Sequence, residues 1–281
     1  MRLGNVGGRA VLITEDGAGV DVAGASDGRF GPDPQALLDD WGAFTGWAVN
    51  CSADADVRFT PEQLGPPVPR PPQVFAIGIN YREHADEAGY PPDSLPVTFT
   101  KFPACLTGPD AVVDLPTDTV DWEVELVVVI GTRAEHVARE DAWEHVAGLT
   151  IGQDLSERTS QLAGSRPQFS LAKSYAGFGP TGPALVTPDE LPDPADLAIA
   201  CRIGDETLQS SRTSRMIYDV PGLIARLSAV CPLLPGDLIF SGTPSGIGNA
   251  RTPKRFLGPE DELVSEIEGL GSIRTRFRAI R

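Results

Sequence analysis

The stretch Asp121-Trp122-Glu123-Val124-Glu125-Leu126-Val127-Val128-Val129-Ile130-Gly131 restricts the folds open to this chain more than any other. Side chains alternate across a β-strand, so Trp122, Val124, Leu126, Val128 and Ile130 fall on one face. Glu123 and Glu125 fall on the other, about 6.6 Å apart at a rise of about 3.3 Å per residue. A solvated face would ask nothing special of the two glutamates. That face continues, however, as Val127 and Val129, which directs it into a core. Two carboxylates entering a buried region raise each other's pKa unless a cation lies between them. The pattern leaves two readings open: a half-exposed strand with an acidic face, or a metal-binding strand.

A third oxygen donor would strengthen the second reading. Asp154 follows the apolar run Gly148-Leu149-Thr150-Ile151-Gly152-Gln153, and its other reading is a helix cap for residues 156–161. The chain has three histidines, and its four cysteines are widely spaced without a CxxC or CxH pair, so a zinc centre is not expected. Three carboxylates without nitrogen or sulfur suit a hard octahedral cation, Mg²⁺ or Mn²⁺.

Composition narrows the partners. Thirty-nine acidic against 23 basic residues give a formal charge of −16, which disfavours nucleic acid and anionic membrane surfaces. The longest purely aliphatic run, Leu126 to Ile130, is far too short to span a bilayer, and the first residues lack the apolar core of a secretory signal. A cytoplasmic protein with no nucleic-acid or membrane partner is expected. Thirty glycines and 26 prolines in 281 residues favour many turns and short strands over long helices.

Residues 1–65 read as a small leading α/β module. A strand is predicted over 9–14, a turn at Gly17-Ala18-Gly19, and a returning strand over 20–22. One amphipathic helix follows, started by Asp33-Pro34 and carrying Leu37, Leu38, Trp41 and Phe44. The proline-rich residues 66–72 can continue neither a helix nor a central strand and read as a linker. The main domain, 73–281, is predicted to be mostly β with a few helices (α+β). Its strands are placed over 74–79, 121–130, 197–203, 237–240, 262–267 and 272–280. Short helices are placed near 141–146 and after Asp219, the latter with Leu223, Ile224, Leu227 and Val230 on one face.

Val74-Phe75-Ala76-Ile77-Gly78-Ile79-Asn80-Tyr81 ends a strand, and Arg82-Glu83-His84-Ala85-Asp86-Glu87 follows. His84 and Glu87 are three apart and share one face of a helical turn, where a carboxylate can orient an imidazole. Taken alone, the pair reads first as an ordinary surface pair. Further motifs then occur in order: Phe99-Thr100-Lys101, Asp121 to Leu126, Asp154, Ala172-Lys173-Ser174, Gly179-Pro180-Thr181-Gly182-Pro183 and Gly242-Thr243-Pro244-Ser245-Gly246-Ile247-Gly248. Together with the 77–87 segment, and over about residues 70–281, they closely resemble the fumarylacetoacetate hydrolase family. The leading module resembles the small N-terminal domain of bacterial members.

The resemblance implies a mixed β-roll catalytic domain, a homodimer and a divalent cation, usually Mg²⁺. It implies that Glu123, Glu125 and Asp154 are metal ligands and that His84 and Glu87 form a water-activating pair on a mobile lid. Lys173 matches the family's active-site lysine, Gln161 and Thr243 match polar substrate contacts, and Lys101 matches a pocket-facing lysine. Arg158 matches a family arginine. Two departures stand out: Arg158-Thr159-Ser160-Gln161 lacks the acid that usually follows the arginine, and Ala176 replaces a frequent aspartate. The implied activity is hydrolysis of a C–C bond in a small anionic 2,4-dioxo acid, an acylpyruvate-like substrate, to pyruvate and a carboxylate. Decarboxylation or ene–keto isomerisation of a 2-oxo diacid draws on the same enolate. A non-catalytic binding protein on this fold is the remaining alternative. Other features carry less. The 242–248 loop lacks the Gly-Lys-Ser/Thr ending of a P-loop and reads as a substrate-facing turn. Cys105 has no neighbouring base in sequence, so nucleophilic catalysis there is not expected.

Overall fold

The computed structural model describes residues 1–14, 17–91 and 93–280. Among these residues, a twelve-stranded sheet forms the framework. Its main path runs Val57–Arg58, Ala18–Asp21, Arg9–Ile13, Arg2–Val6, Gly179–Val186, Val146–Gln153, Val124–Ile130, Leu238–Phe240, Val74–Gly78, Val97–Thr100. A second sheet of five strands runs Glu206–Arg212, Ala198–Ile203, Glu262–Ile267, Gly271–Ala279, Asp110–Leu115. The mostly-β expectation with few helices agrees with this architecture.

The acidic strand lies inside the large sheet. Val124–Ile130 pairs antiparallel with Val146–Gln153 on one side and with Leu238–Phe240 on the other. All seven of its residues are buried, as expected of a strand covered on both faces. Trp122, Val124, Leu126, Val128 and Ile130 pack into one core, while Val127 and Val129 pack into a second core with Trp41 and Phe44. The period-two reading of the two faces holds, and the solvated-face alternative does not: Glu125 is 1 % exposed and Glu123 is 6 % exposed.

The strand predicted over 121–130 is not continuous. Val120–Asp121 pairs with Ser156–Glu157, and the long strand resumes only at Val124. Side chains explain the break by taking the backbone donors that a ladder would use. The Trp122 N–H donates to Asp121 Oδ1 (2.8 Å), that of Glu123 to Gln153 Oε1 (2.9 Å), and that of Val124 to Gln209 Oε1 (3.0 Å).

In the leading segment, Arg2–Val6 pairs with Gly179–Val186, so the large sheet continues across the 66–72 proline run. Ala18 and Gly19, predicted as turn, already belong to the strand Ala18–Asp21. The helix predicted from Asp33 starts later. Asp33 caps only a local turn, accepting from the Gln35 N–H (3.0 Å), and the chain then takes the tighter 3₁₀ form over Ala36–Asp40. The α-helix Trp41–Ala48 begins where Asp40 accepts from the Ala43 N–H. The helix Val220–Ser228 follows Asp219 as predicted, with the Asp219 side chain capping it, but it ends before Val230, which is exposed. The segment near 141–146 is 3₁₀, Arg139–His145. No helix among the described residues is long and apolar enough to cross a membrane.

Candidate active site

Antiparallel register builds the acidic site. Val124 stands opposite Gln153, so Glu123 and Asp154 leave the same end of the ladder as neighbours, and the Asp154 N–H donates to the Glu123 carbonyl (2.9 Å). Glu125 projects from the strand beside them. One carboxylate oxygen from each of Glu123, Glu125 and Asp154 lies within 4.8 Å of the others, and all three residues are buried. Asp154 is not the helix cap. That task falls to Glu157, whose carboxylate accepts from the Thr159 and Ser160 N–H groups at the start of Arg158–Gln161.

Three buried cations face these acids. The Lys101 ammonium donates to Asp154 Oδ1 (2.8 Å), to the Phe178 carbonyl (3.2 Å) and to the Lys173 carbonyl. The Lys173 ammonium donates to Glu123 Oε2 (2.6 Å) and Asp154 Oδ2 (2.7 Å). Arg158 donates from Nη2 to Glu123 Oε1 (2.7 Å), from Nε to Asp121 Oδ2 (2.8 Å) and from Nη1 to Gln161 Oε1 (2.8 Å). Burial alone would raise the Glu123 pKa, but Lys173 and Arg158 outweigh it and hold the group at about 2. Burial works against the Arg158 charge too, and Asp121 and Glu123 reverse this, raising its pKa. The acid missing after Arg158 in sequence is thus supplied from a distance by Asp121.

Glu125 is in the opposite condition. Burial, with Asp154 and Glu123 adding repulsion, pushes its pKa well above the carboxylate range. It accepts a hydrogen bond from the Gly242 N–H (2.8 Å). Gly242 reaches it with φ +100°, and a Cβ there would fall 2.6 Å from Asn80 Cβ, so only glycine fits without displacement. Around the triad, the buried acids Asp121, Glu123, Glu125 and Asp154 outnumber Lys101, Lys173 and Arg158 by one. An all-oxygen donor set with one repelled carboxylate in excess fits a hard divalent cation.

The second part of the site is the short helix Arg82–Glu87. His84 Nδ1 lies 2.8 Å from Glu87 Oε1; a carboxylate accepts, so Nδ1 donates there and Nε2 is the ring position left for proton transfer. Both Glu87 oxygens accept from the Gly246 N–H (3.1 and 2.9 Å). The helix is rooted by Asn80, whose Nδ2 donates to the carbonyls of Tyr218 (2.9 Å) and Ser241 (2.7 Å). Ile79, just before it, turns the chain at φ 63°, a region β-branched residues rarely adopt.

A cavity of about 480 Å³ joins these parts. His84, Glu87, Glu123, Arg158, Gln161, Lys173 and Thr243 all line it, so seven of the ten sequence-predicted site residues meet on one wall system. Glu125 and Asp154 lie behind that wall, in the triad with Glu123. Lys101 does not reach the cavity: it is fully buried, and its ammonium is enclosed beneath Asp154. The Thr243 hydroxyl is used within the fold, donating to the Val124 carbonyl (2.9 Å) and accepting from Gln209 Nε2 (2.7 Å). Lys101→Met removes a buried counter-charge from Asp154 and is expected to cost about 3–5 kcal/mol in urea unfolding. A loss within the ~0.5 kcal/mol of ordinary surface changes would contradict the enclosed ion pair.

Sequence reading assigned no role to Asn249, Arg251 and Lys254, which line the cavity near its exposed side. Arg251 is paired with Glu206 (2.7 Å), whereas Lys254 donates to the neutral Asn249 Oδ1 (2.9 Å). Nothing in their spacing marks them. The loop 242–250 brings them there through its contacts with Glu125, Glu87 and Asp121.

Known proteins are similar to this chain in sequence and in fold. The family model for the fumarylacetoacetate (FAA) hydrolase C-terminal domain matches residues 73–278. Bovine oxaloacetate tautomerase FAHD2A, mitochondrial (Bos taurus), is 44 % identical over 209 residues, 74 % of this chain and 67 % of that protein. Among solved structures, a candidate HpcE protein from Mycobacterium smegmatis is 54 % identical with a TM-score of 0.95, covering 100 % of both chains. Maleylpyruvate hydrolase from Sphingobium sp. SYK-6, solved with manganese(II) and pyruvate, is 29 % identical with a TM-score of 0.78, again over 100 % of both chains.

Proposed function

Because the chain belongs to the fumarylacetoacetate hydrolase family, a family of enzymes, we propose that it is a divalent-metal-dependent hydrolase of a C–C bond in a small 2,4-dioxo acid. Mg²⁺ or Mn²⁺ is the cation this reading calls for, held by Glu123, Glu125 and Asp154. When bound, the cation supplies Lewis acidity that favours an enolate leaving group. His84, held by Glu87, takes the proton from the attacking water through Nε2. The Lys173 ammonium and the Gln161 amide bear on charge that develops at oxygen. The net acidity of the protein does not repel such a substrate, because Lys173, Arg158 and the cation reverse the sign locally.

The observation that carries hydrolysis is the size and make-up of the cavity. At about 480 Å³, it has room for an acyl arm and a water beside the His84–Glu87 pair. Its apolar lining, Ile77, Ile79, Phe99, Leu162 and Phe169, suits carbon rather than a second hydration shell. A second reading has support of its own: the 44 % identical relatives named oxaloacetate tautomerases. Tautomerisation needs the same base and enolate but no water attack.

A panel of acetylpyruvate, maleylpyruvate and enol-oxaloacetate with Mg²⁺ separates the two readings. Hydrolysis is expected to release pyruvate from the first two, and chelation is expected to abolish it. Decay of enol-oxaloacetate with no pyruvate from either dioxo acid would establish the tautomerase reading instead. Lys254 bears on the arm of the substrate. An exposed charge contact is worth about 0.2–1 kcal/mol, so Lys254→Glu is expected to lower kcat/KM severalfold for maleylpyruvate relative to acetylpyruvate. An unchanged ratio would remove Lys254 from substrate selection.

A further inference from the structure

Asp121 is fully buried and does not line the cavity, yet its carboxylate accepts four hydrogen bonds beside it. Oδ1 accepts from the N–H groups of Trp122 (2.8 Å) and Gly248 (2.7 Å). Oδ2 accepts from the Asn249 N–H (2.9 Å) and from Arg158 Nε (2.8 Å), and forms an ion pair with Arg158 Nη2 at 2.7 Å. Three elements therefore meet at one side chain: the strand break before Glu123, the helix bearing Arg158, and the cavity wall after Gly248. The proposed reaction gives Asp121 no chemical step.

The second partner of Arg158 is Glu123. The same Nη2 that touches Asp121 donates to Glu123 Oε1, while Glu123 Oε2 shares the Lys173 ammonium with Asp154 Oδ2. A guanidinium is a rigid planar fork, so clamping one edge on Asp121 fixes the direction in which the other is offered. We propose that Asp121 is a positioning residue: through Arg158 it locks the Glu123 carboxylate with Oε1 turned away and Oε2 presented to the cation. This rests on the reading of Glu123, Glu125 and Asp154 as cation ligands. Outer partners that orient a ligand are typically worth about 10–100-fold in metal affinity. Asp121→Asn keeps the shape and one acceptor but sets an amide N–H₂ against the Arg158 and Asn249 donors.

The test is Mn²⁺ affinity by isothermal titration calorimetry on the 281-residue chain, in a double-mutant cycle with Arg158→Lys. Lysine keeps the charge at 158 but loses the fork. Each single variant is expected to bind Mn²⁺ about 10–100-fold more weakly than wild type. The double variant is expected to be no weaker than either, because both break the same connection. Additive losses would show that Asp121 acts through the Gly248–Asn249 wall instead, and wild-type affinity in either single variant would also overturn the inference. If Asp121→Asn does not fold, Arg158→Lys still decides, since unchanged affinity there is incompatible with the clamp. Failure of wild-type protein to bind Mn²⁺ would overturn the cation reading and this inference with it. Weakening by Glu125→Ala alongside unchanged Asp121→Asn would overturn the inference alone.

Discussion

Glu125→Ala is expected to reduce divalent-cation affinity by more than about a hundredfold and to abolish turnover of every 2-oxo acid tested. The lower bound follows because even outer partners of a metal ligand cost about 10–100-fold. Glu125 is the member of the triad whose charge the protein leaves least compensated: burial, Asp154 and Glu123 all raise its pKa, and the nearby Lys173 charge and one backbone N–H from Gly242 only partly offset them. A cation binding there must displace a proton whenever that pKa lies above the ambient pH. Apparent affinity is therefore expected to rise with pH until Glu125 is already ionised. Removing the carboxylate deletes the ligand and the repulsion but leaves the buried Gly242 N–H without its acceptor, so the metal-free variant is expected to lose about 1–3 kcal/mol of stability and still fold. Calorimetric titration with Mn²⁺ and thermal unfolding in chelator check the two halves separately. Retained tight binding would remove Glu125 from the cation site.

His84→Gln is expected to leave Mn²⁺ affinity within a few fold of wild type and to lower kcat by about 10²–10⁴, the usual range for a positioned general base. The separation follows from the geometry. His84 belongs to the Arg82–Glu87 helix and bonds to Glu87, whereas the triad belongs to the strand Val124–Ile130 and the chain beside it. Glutamine can keep a hydrogen bond to Glu87 but offers no basic nitrogen at the Nε2 position. Steady-state kinetics on the best substrate of the panel measure the effect. Turnover close to wild type would strip His84 of the proton-transfer role and leave the pair as a lid anchor. Loss of metal binding would instead place His84 in the cation site.

Much of this was legible because the chemistry is written in short, local patterns. Period two separated Trp122, Val124 and Leu126 from Glu123 and Glu125, and the spacing of His84 and Glu87 matched the bond that forms. Several strands escaped for an equally physical reason. Gly179–Val186 opens with Gly-Pro-Thr-Gly-Pro, and Glu206–Arg212 is polar except for Leu208, so neither shows the alternation that marks a strand. Tertiary pairing overrides those local preferences. The break at Trp122–Glu123 was invisible for a related reason: its cause is Gln153 and Gln209, 30 and 85 residues away from the N–H groups they satisfy.

By itself the sequence determined which residues are acidic and apolar on the central strand, the all-oxygen donor set, and the motif order that marks the family. Only the tertiary structure decided what each charge is for. Lys101 is a buried counter-ion because its ammonium meets Asp154 and two carbonyls, although its motif position suggested the pocket. Arg158 has its acid because Asp121, 37 residues earlier, folds against it. The strength of an ion pair depends on distance and burial, which sequence spacing does not carry across loops. Packing alone brings a residue at 121 to one at 158 and gives the −16 chain a cavity where Lys173 and Arg158 stand against Glu123.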